Sequence, residues 1–171
     1  MDWAAAGCLF TDKHHVLGGW CQHTLPSSIG GIGGTKRAKE EPLDTAWRET
    51  IEELFEFPYI PPELLVRIKK SITTDKVMQN NAYIFYIYSL KDLEKLLAII
   101  RTFRLISPLY RFFPRSLSDL IFKRVPTPRA EVAQLCILPL EPYVCISPDL
   151  IEDIFNVSTK VELKLAQSIY V

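Results

Sequence analysis

Gly34-Thr35-Lys36-Arg37-Ala38-Lys39-Glu40-Glu41-Pro42-Leu43-Asp44-Thr45-Ala46-Trp47-Arg48-Glu49-Thr50-Ile51-Glu52-Glu53 carries both a structural and a chemical signal. Pro42 suits the first turn of a helix, where no backbone N–H is needed. Leu43, Trp47, Ile51 and Leu54 then recur at helical spacing. At 100° per residue, Trp47, Thr50, Ile51 and Leu54 fall within about 80° of Leu43. Glu49, Glu52 and Glu53 fall on another face, and their i, i+3, i+4 spacing makes the carboxylates converge. Three like charges on adjacent turns repel. A solvated acidic face tolerates that, whereas a hard divalent cation turns the repulsion into attraction, since Mg²⁺ prefers carboxylate oxygens and water. Arg48, beside Glu49 and four residues before Glu52, is placed to neutralise or orient the cluster.

This stretch resembles the Nudix box, G-x5-E-x7-R-E-U-x-E-E-x-G-U, where U is a bulky aliphatic residue. Gly34, Glu40, Arg48, Glu49, Glu52 and Glu53 match its six leading fixed positions without a gap. A chance match anywhere in the chain has a probability of about 10⁻⁵ from average residue usage. The strand expected at Ala4–Phe10, the Gly-rich approach and a later strand beginning near Glu131 also resemble the common Nudix order. Three positions depart from the pattern. Thr50 stands where an aliphatic residue is usual, and Phe55 and Glu56 replace the final glycine and aliphatic. That glycine would end the helix in a left-handed conformation. Phenylalanine is strained there, so this helix is expected to end differently, through Pro58.

The resemblance implies an α/β/α sandwich with a mixed sheet and the box as loop–helix–loop. It implies that Glu49, Glu52 and Glu53 hold Mg²⁺ or Mn²⁺, that Arg48 orders them, and that Gly34 permits a tight loop. Glu40 would support that loop or meet the metal through water. Water would attack one phosphorus of a diphosphate linkage while cations neutralise the developing charge. The expected catalytic set is Glu53, Glu52, Arg48 and Glu131, with Glu53 or Glu131 taking the proton. Glu131 can equally be read as a surface residue at a strand start.

Competing motifs fail. Gly30–Lys36 lacks the G-K-[ST] ending of a phosphate loop, because Thr35 follows Gly34. A dinucleotide fingerprint starting at Gly31 has Lys36 in place of its third glycine. His14, His15 and His23 show no metal-ligand spacing, which leaves zinc at Cys21 and His23 a minor reading. Trp20 and Trp47 read as core residues.

Outward from the box, strands are expected at Trp3–Phe10, Val16–Cys21, Leu64–Thr73, Ala82–Tyr88 and Val132–Leu138. Thr11–His14 reads as a turn and Leu25–Lys39 as a glycine-rich loop. Helices are expected from Ser89 as cap to about Arg104, over Ser116–Phe122, and from Ser147 through Phe155. Strands and helices alternate around one expected core, an α/β class over residues 1–171 with a basic helical insert at about 90–128.

The 171 residues are 48 % apolar and 23 % charged, with zero formal net charge, so global charge does not point to nucleic acid. Cys8, Cys21, Cys136 and Cys145 form no CxxC pair, and the apolar runs around three of them suggest buried, reduced thiols. The N-terminal ten residues lack signal-peptide character, and Leu96–Phe113 is too interrupted by arginines to span a membrane. An intracellular, cytoplasmic chain is expected.

Lys91–Arg129 has nine basic residues against Asp92, Glu94 and Asp119, with Phe103, Tyr110, Phe112, Phe113 and Phe122 interleaved. Three readings stand. One is a substrate flap in which Arg101, Arg104, Arg111 and Arg115, together with Lys36 and Arg37 of the box loop, meet phosphates while aromatics stack a base. The second is a pair of amphipathic helices covering the sheet with arginine stems. The third is docking on a protein partner or an anionic membrane surface. The leading function is hydrolysis of a phosphoanhydride in a nucleoside diphosphate derivative, including dinucleoside polyphosphates and the 5′ cap of RNA. The Arg48–Phe55 stretch is also similar to Nudix proteins of large DNA viruses, where mRNA decapping is a known role. The alternative is a Nudix-fold binding or structural protein with vestigial activity.

Overall fold

The computed structural model describes residues 2–12, 14–23, 28–125 and 127–139. Within them lie seven strands and four helices: β1 (Ala5–Thr11), β2 (His15–Cys21), β3 (Ser28–Gly30), β4 (Ile32–Thr35), α1 (Pro42–Phe55), α2 (Pro62–Ser71), β5 (Val77–Asn80), β6 (Tyr83–Ser89), α3 (Leu90–Thr102), α4 (Leu117–Phe122) and β7 (Val132–Pro139). The strands form one mixed sheet. β1 runs parallel to β6, with Ala5 opposite Tyr83 and Thr11 opposite Ser89. It runs antiparallel to β4, while β2 is flanked by antiparallel β3 and β7. The fold is therefore mixed α/β, as the alternation of elements predicts. The terminal helix expected from Ser147, and Cys145, lie outside the described residues.

Side chains alternate across a strand, and β1 shows it. Ala6, Cys8 and Phe10 join the main core with Trp47, Ile51 and Leu54 of α1, whereas Leu9 joins a second buried cluster with Val16, Ile87 and Leu138. Both faces of the sheet thus carry buried apolar side chains. Trp47 is fully buried, with Phe10 and Tyr88 against it at ring-centroid distances of 6.2 and 4.9 Å. Trp20, expected in the core, is 37 % exposed.

Two expectations are corrected. Leu64–Thr73 is apolar and rich in β-branched residues, yet Pro62–Ser71 forms α2. Its buried residues Leu64 and Ile68 follow the helical i, i+4 spacing, and Val66, which a strand would bury with them, is 62 % exposed. Pro62 suits the first position, where no backbone N–H is needed, and Glu63 in the first turn with Lys69 and Lys70 in the last complement the helix dipole. The second correction concerns the Leu25–Lys39 loop, which contains β3 and β4. Glycine removes the side chains that would keep these backbones apart: a Cβ on Gly33 would sit 2.4 Å from Gly7 Cα across the β1–β4 pair. β5 was not foreseen. It is a short strand joined to β6 by a tight turn in which Asn81 takes φ 52°, a conformation asparagine tolerates.

α3 begins as the sequence predicts. The Asp92 carboxylate accepts from both the backbone N–H and the hydroxyl of Ser89. In α4, Ser116 Oγ accepts from the Asp119 N–H. No helix among the described residues is long and apolar enough to cross a membrane.

Candidate active site

α1 buries Trp47, Ile51, Leu54 and Phe55 against the sheet and turns its glutamates to one side. Arg48 is only 5 % exposed, and every nitrogen of its guanidinium is engaged. Nε and Nη2 donate to the two carboxylate oxygens of Glu40 at 2.6 and 2.9 Å. Nη1 donates to Glu49 at 2.6 Å and to Glu52 at 2.9 Å. Nη2 also reaches the carbonyl of Thr35 at the end of β4. Arg48 thus binds the loop before α1, α1 itself and β4 into one unit.

Glu40 supports the loop. It accepts from the Arg37 N–H and from Thr45 Oγ1 as well as from Arg48. The Arg48 guanidinium draws its carboxyl down to about 2 against the opposing effect of partial burial. Gly34, the expected tight-loop glycine, lies against Glu49. A Cβ there would lie 2.6 Å from the carboxyl carbon of Glu49, so glycine makes room for that carboxylate against β4. Glu53, which the helical wheel places away from the apolar stripe, is only 7 % exposed and accepts from the Gly33 N–H at 2.8 Å.

Glu49, Glu52 and Glu53 line one cavity of about 380 Å³ together with Glu56, Phe57, Arg129 and Glu131. Glu131 stands just before β7, and the carbonyl of Glu131 accepts from the Gln22 N–H. Burial pushes the Glu49 carboxyl above its ordinary range; Arg48 pulls it down, and nearby Glu52 and Glu131 push it further up. Five carboxylates against Arg129 leave the cavity acidic. Among the described residues no group of three or more acidic, histidine or cysteine side chains is arranged to hold a metal ion. Arg48 bonds Glu49 and Glu52, and Arg37 Nη2 bonds Glu52 at 2.9 and 3.2 Å. Mg²⁺ is usually held by one or two carboxylates completed by water and substrate phosphates rather than by an all-protein cage. The hard oxygen donors on this wall fit that mode.

Glu56 and Arg129 were not foreseen as cavity residues. Glu56 occupies a box position normally aliphatic, and only the counted basic charge of the following segment included Arg129. The helix end explains Glu56. α1 stays helical through Phe55, and Glu56 takes the left-handed conformation at φ 46°, its N–H donating to the Glu52 carbonyl. The left-handed turn expected at the box glycine is present one residue later, rather than being replaced through Pro58. Phe55 instead fills the core, stacked on Phe57 and Phe113 at 5.2 and 5.3 Å. Thr50 is also buried, its hydroxyl donating to the Ala46 carbonyl.

The remaining carbonyls at this helix end meet the segment between β6 and β7. Buried Arg124 donates to the carbonyls of Leu54 at 2.8 Å, Glu53 at 2.7 Å, Val132 at 2.6 Å and Ala133 at 3.3 Å. The Ser107 hydroxyl donates to the Phe55 carbonyl. The expected substrate-binding cations separate. Arg37 sits beside the cavity on Glu52, whereas the Lys36 ammonium lies 5.0 Å from the Trp3 ring centroid. Arg101 and Arg115 line a different cavity with Phe112 and Lys123. Arg104 is exposed, and the Arg111 guanidinium lies over the Phe112 ring. A further cavity of about 580 Å³ beside Asp12, Lys91 and Glu94 contains no box residue.

No family model matches the chain, and no curated protein matches it. Among solved structures, an Ap4A hydrolase of C. elegans is similar over 96 % of this chain and 95 % of its own, at 13 % identity and a TM-score of 0.46. A NUDIX hydrolase from Nitrosomonas europaea is similar over 99 % of this chain and 90 % of its own, at 9 % identity and a TM-score of 0.42. A bifunctional NMN adenylyltransferase/ADP ribose pyrophosphatase from Francisella tularensis, complexed with AMP and a manganese ion, is similar over 98 % of this chain at 10 % identity and a TM-score of 0.45. This chain covers 42 % of that bifunctional protein.

Proposed function

We propose that this chain is a Nudix-type hydrolase that cleaves a phosphoanhydride in a nucleoside diphosphate derivative. The observation that carries the reading is the meeting of Glu49, Glu52 and Glu53 of α1 with Glu131 from the approach to β7 on one acidic cavity. Carboxylates from among Glu49, Glu52 and Glu53, completed by water and substrate phosphates, would hold Mg²⁺ or Mn²⁺, which supplies Lewis acidity toward the phosphates and activates water. Arg48 restrains the carboxylates so that they do not rearrange as charge develops. Glu131, exposed at the cavity edge, is suited to take a proton from water. Arg129 is suited to meet phosphate charge. Dinucleoside polyphosphates and the 5′ cap of RNA are the candidate substrates. The unbridged thiols Cys8 and Cys136 fit a reducing compartment, so the proposed place of action is the cytoplasm.

A second reading, a Nudix-fold binding protein with vestigial activity, draws on the hold that Arg48 and Arg37 have on Glu49 and Glu52. Turnover separates the two. The purified chain is incubated with diadenosine tetraphosphate, ADP-ribose and a capped oligoribonucleotide, in Mg²⁺, in Mn²⁺ and in EDTA. Metal-dependent cleavage of the diphosphate linkage in at least one substrate is expected. No cleavage of any of them in either metal would leave the binding reading.

A further inference from the structure

The segment between β6 and β7 holds a cavity of about 460 Å³ lined by Arg101, Phe112, Phe113, Arg115, Asp119 and Lys123. Three cations face one acid, and that acid is engaged: Asp119 pairs with Lys123 at 2.7 Å and accepts from the Arg115 N–H. Arg101 and Arg115 are exposed. Phe112 is 74 % exposed and nearby Phe122 is 80 % exposed, although neither lies in a hydrophobic cluster. Large aromatic rings held in water beside arginines have the makings of a stacking platform.

The position of the cavity adds a second argument. Phe113 lines it, and Phe57 lines the acidic cavity. Their rings lie 6.4 Å apart, with planes within 13° of parallel, and Phe55 stacks on both. A wall of stacked rings therefore separates the acidic site from the basic one. A chain lying across it would present a diphosphate to the carboxylates and further phosphates to Arg101 and Arg115.

We propose that this cavity binds a single-stranded polynucleotide, the strand that continues from the scissile diphosphate. Arg101 and Arg115 take successive phosphates and Phe112 stacks a base. The direction of the strand rests on the hydrolase reading, but the binding does not, so it can be tested without turnover. The assay follows fluorescence anisotropy of a 5′-phosphorylated oligouridylate in EDTA across a salt series. Affinity should fall steeply with salt. The double variant Arg101→Gln/Arg115→Gln should flatten the log–log slope by about 1.4, at 0.7 per phosphate. Phe112→Ala should weaken binding about tenfold with the slope unchanged, as loss of a stacked base predicts. A charge-matched control, Lys70→Gln/Lys76→Gln, removes two cations outside the cavity and should leave both readings close to the parent. All these side chains are exposed, so thermal melting should report folded protein. A double variant that binds like the parent would overturn the proposal. So would a parent whose affinity is independent of salt, or one that binds phosphatidylserine vesicles and not the oligonucleotide. If the strand binds as expected but no diphosphate is cleaved, the hydrolase reading fails and this one stands.

Discussion

Arg124 Nη2 donates to the backbone carbonyl of Glu53 at 2.7 Å and, with the same nitrogen, to that of Val132 at 2.6 Å. One buried guanidinium from the β6–β7 segment thus joins the end of the acidic helix to the start of the strand that follows Glu131. Helix C-termini leave their last carbonyls without partners, and here Arg124 and Ser107 supply donors to the carbonyls of Leu54 and Phe55. Replacing Arg124 with methionine would strand several buried carbonyls, each costing about 1–3 kcal/mol. Urea unfolding of Arg124→Met is expected to show a loss of about 3 kcal/mol or more; a loss below about 1 kcal/mol would contradict the strut role.

Glu52→Gln and Glu53→Gln should each lower metal-dependent turnover by several orders of magnitude while far-UV circular dichroism stays unchanged. For Glu53 the fold is protected because an amide oxygen can still accept from the Gly33 N–H. Normal hydrolysis of the best substrate by both variants would place the chemistry elsewhere.

A glycine at position 55, the last box glycine the sequence resemblance would call for, should harm this protein. Phe55 is fully buried and stacked between Phe57 and Phe113. The left-handed turn that glycine would serve has moved to Glu56. Phe55→Gly removes a large core side chain, a change that costs about 3–5 kcal/mol. Thermal melting is expected to fall by well over ten degrees, and an unchanged melting temperature would show that the ring is dispensable.

Acid should loosen the box through Glu40. Its carboxyl is held at about 2 in the fold against an ordinary value of 4.5, with Arg48 the main cause. A depressed carboxylate pKa contributes stability that is present above pH 4.5 and is lost as pH falls towards 2. Denaturant melts from pH 6 to pH 2 should therefore show a smaller acid loss in Glu40→Gln than in the parent, from a lower starting stability. Parallel curves for the two proteins would rule out this contribution.

The sequence by itself determined the elements whose signals are local. Helical spacing from Leu43 to Leu54, the Ser89–Asp92 cap of α3 and the Ser116 cap of α4 are each decided by residues within a turn or two of one another. The side-by-side placement of Glu49, Glu52 and Glu53 follows from helix geometry alone, so that wall of the site was legible. Tertiary structure decided what distant segments impose. Leu64–Thr73 carries a pattern that suits strand or helix, and packing of Leu64 and Ile68 against the core selects the helix. The glycine-rich stretch reads as loop in isolation, because glycine has no side chain to mark a strand; backbone pairing with β1 and β2 makes it sheet. Arg129 and Glu131 share a cavity with α1 where Arg124 ties the end of that helix to the start of β7. Phe113 reaches Phe55 and Phe57 across more than fifty residues of sequence. Hydrogen bonds to backbone carbonyls depend on position and not on the identity of the accepting residue, so no residue pattern could announce them.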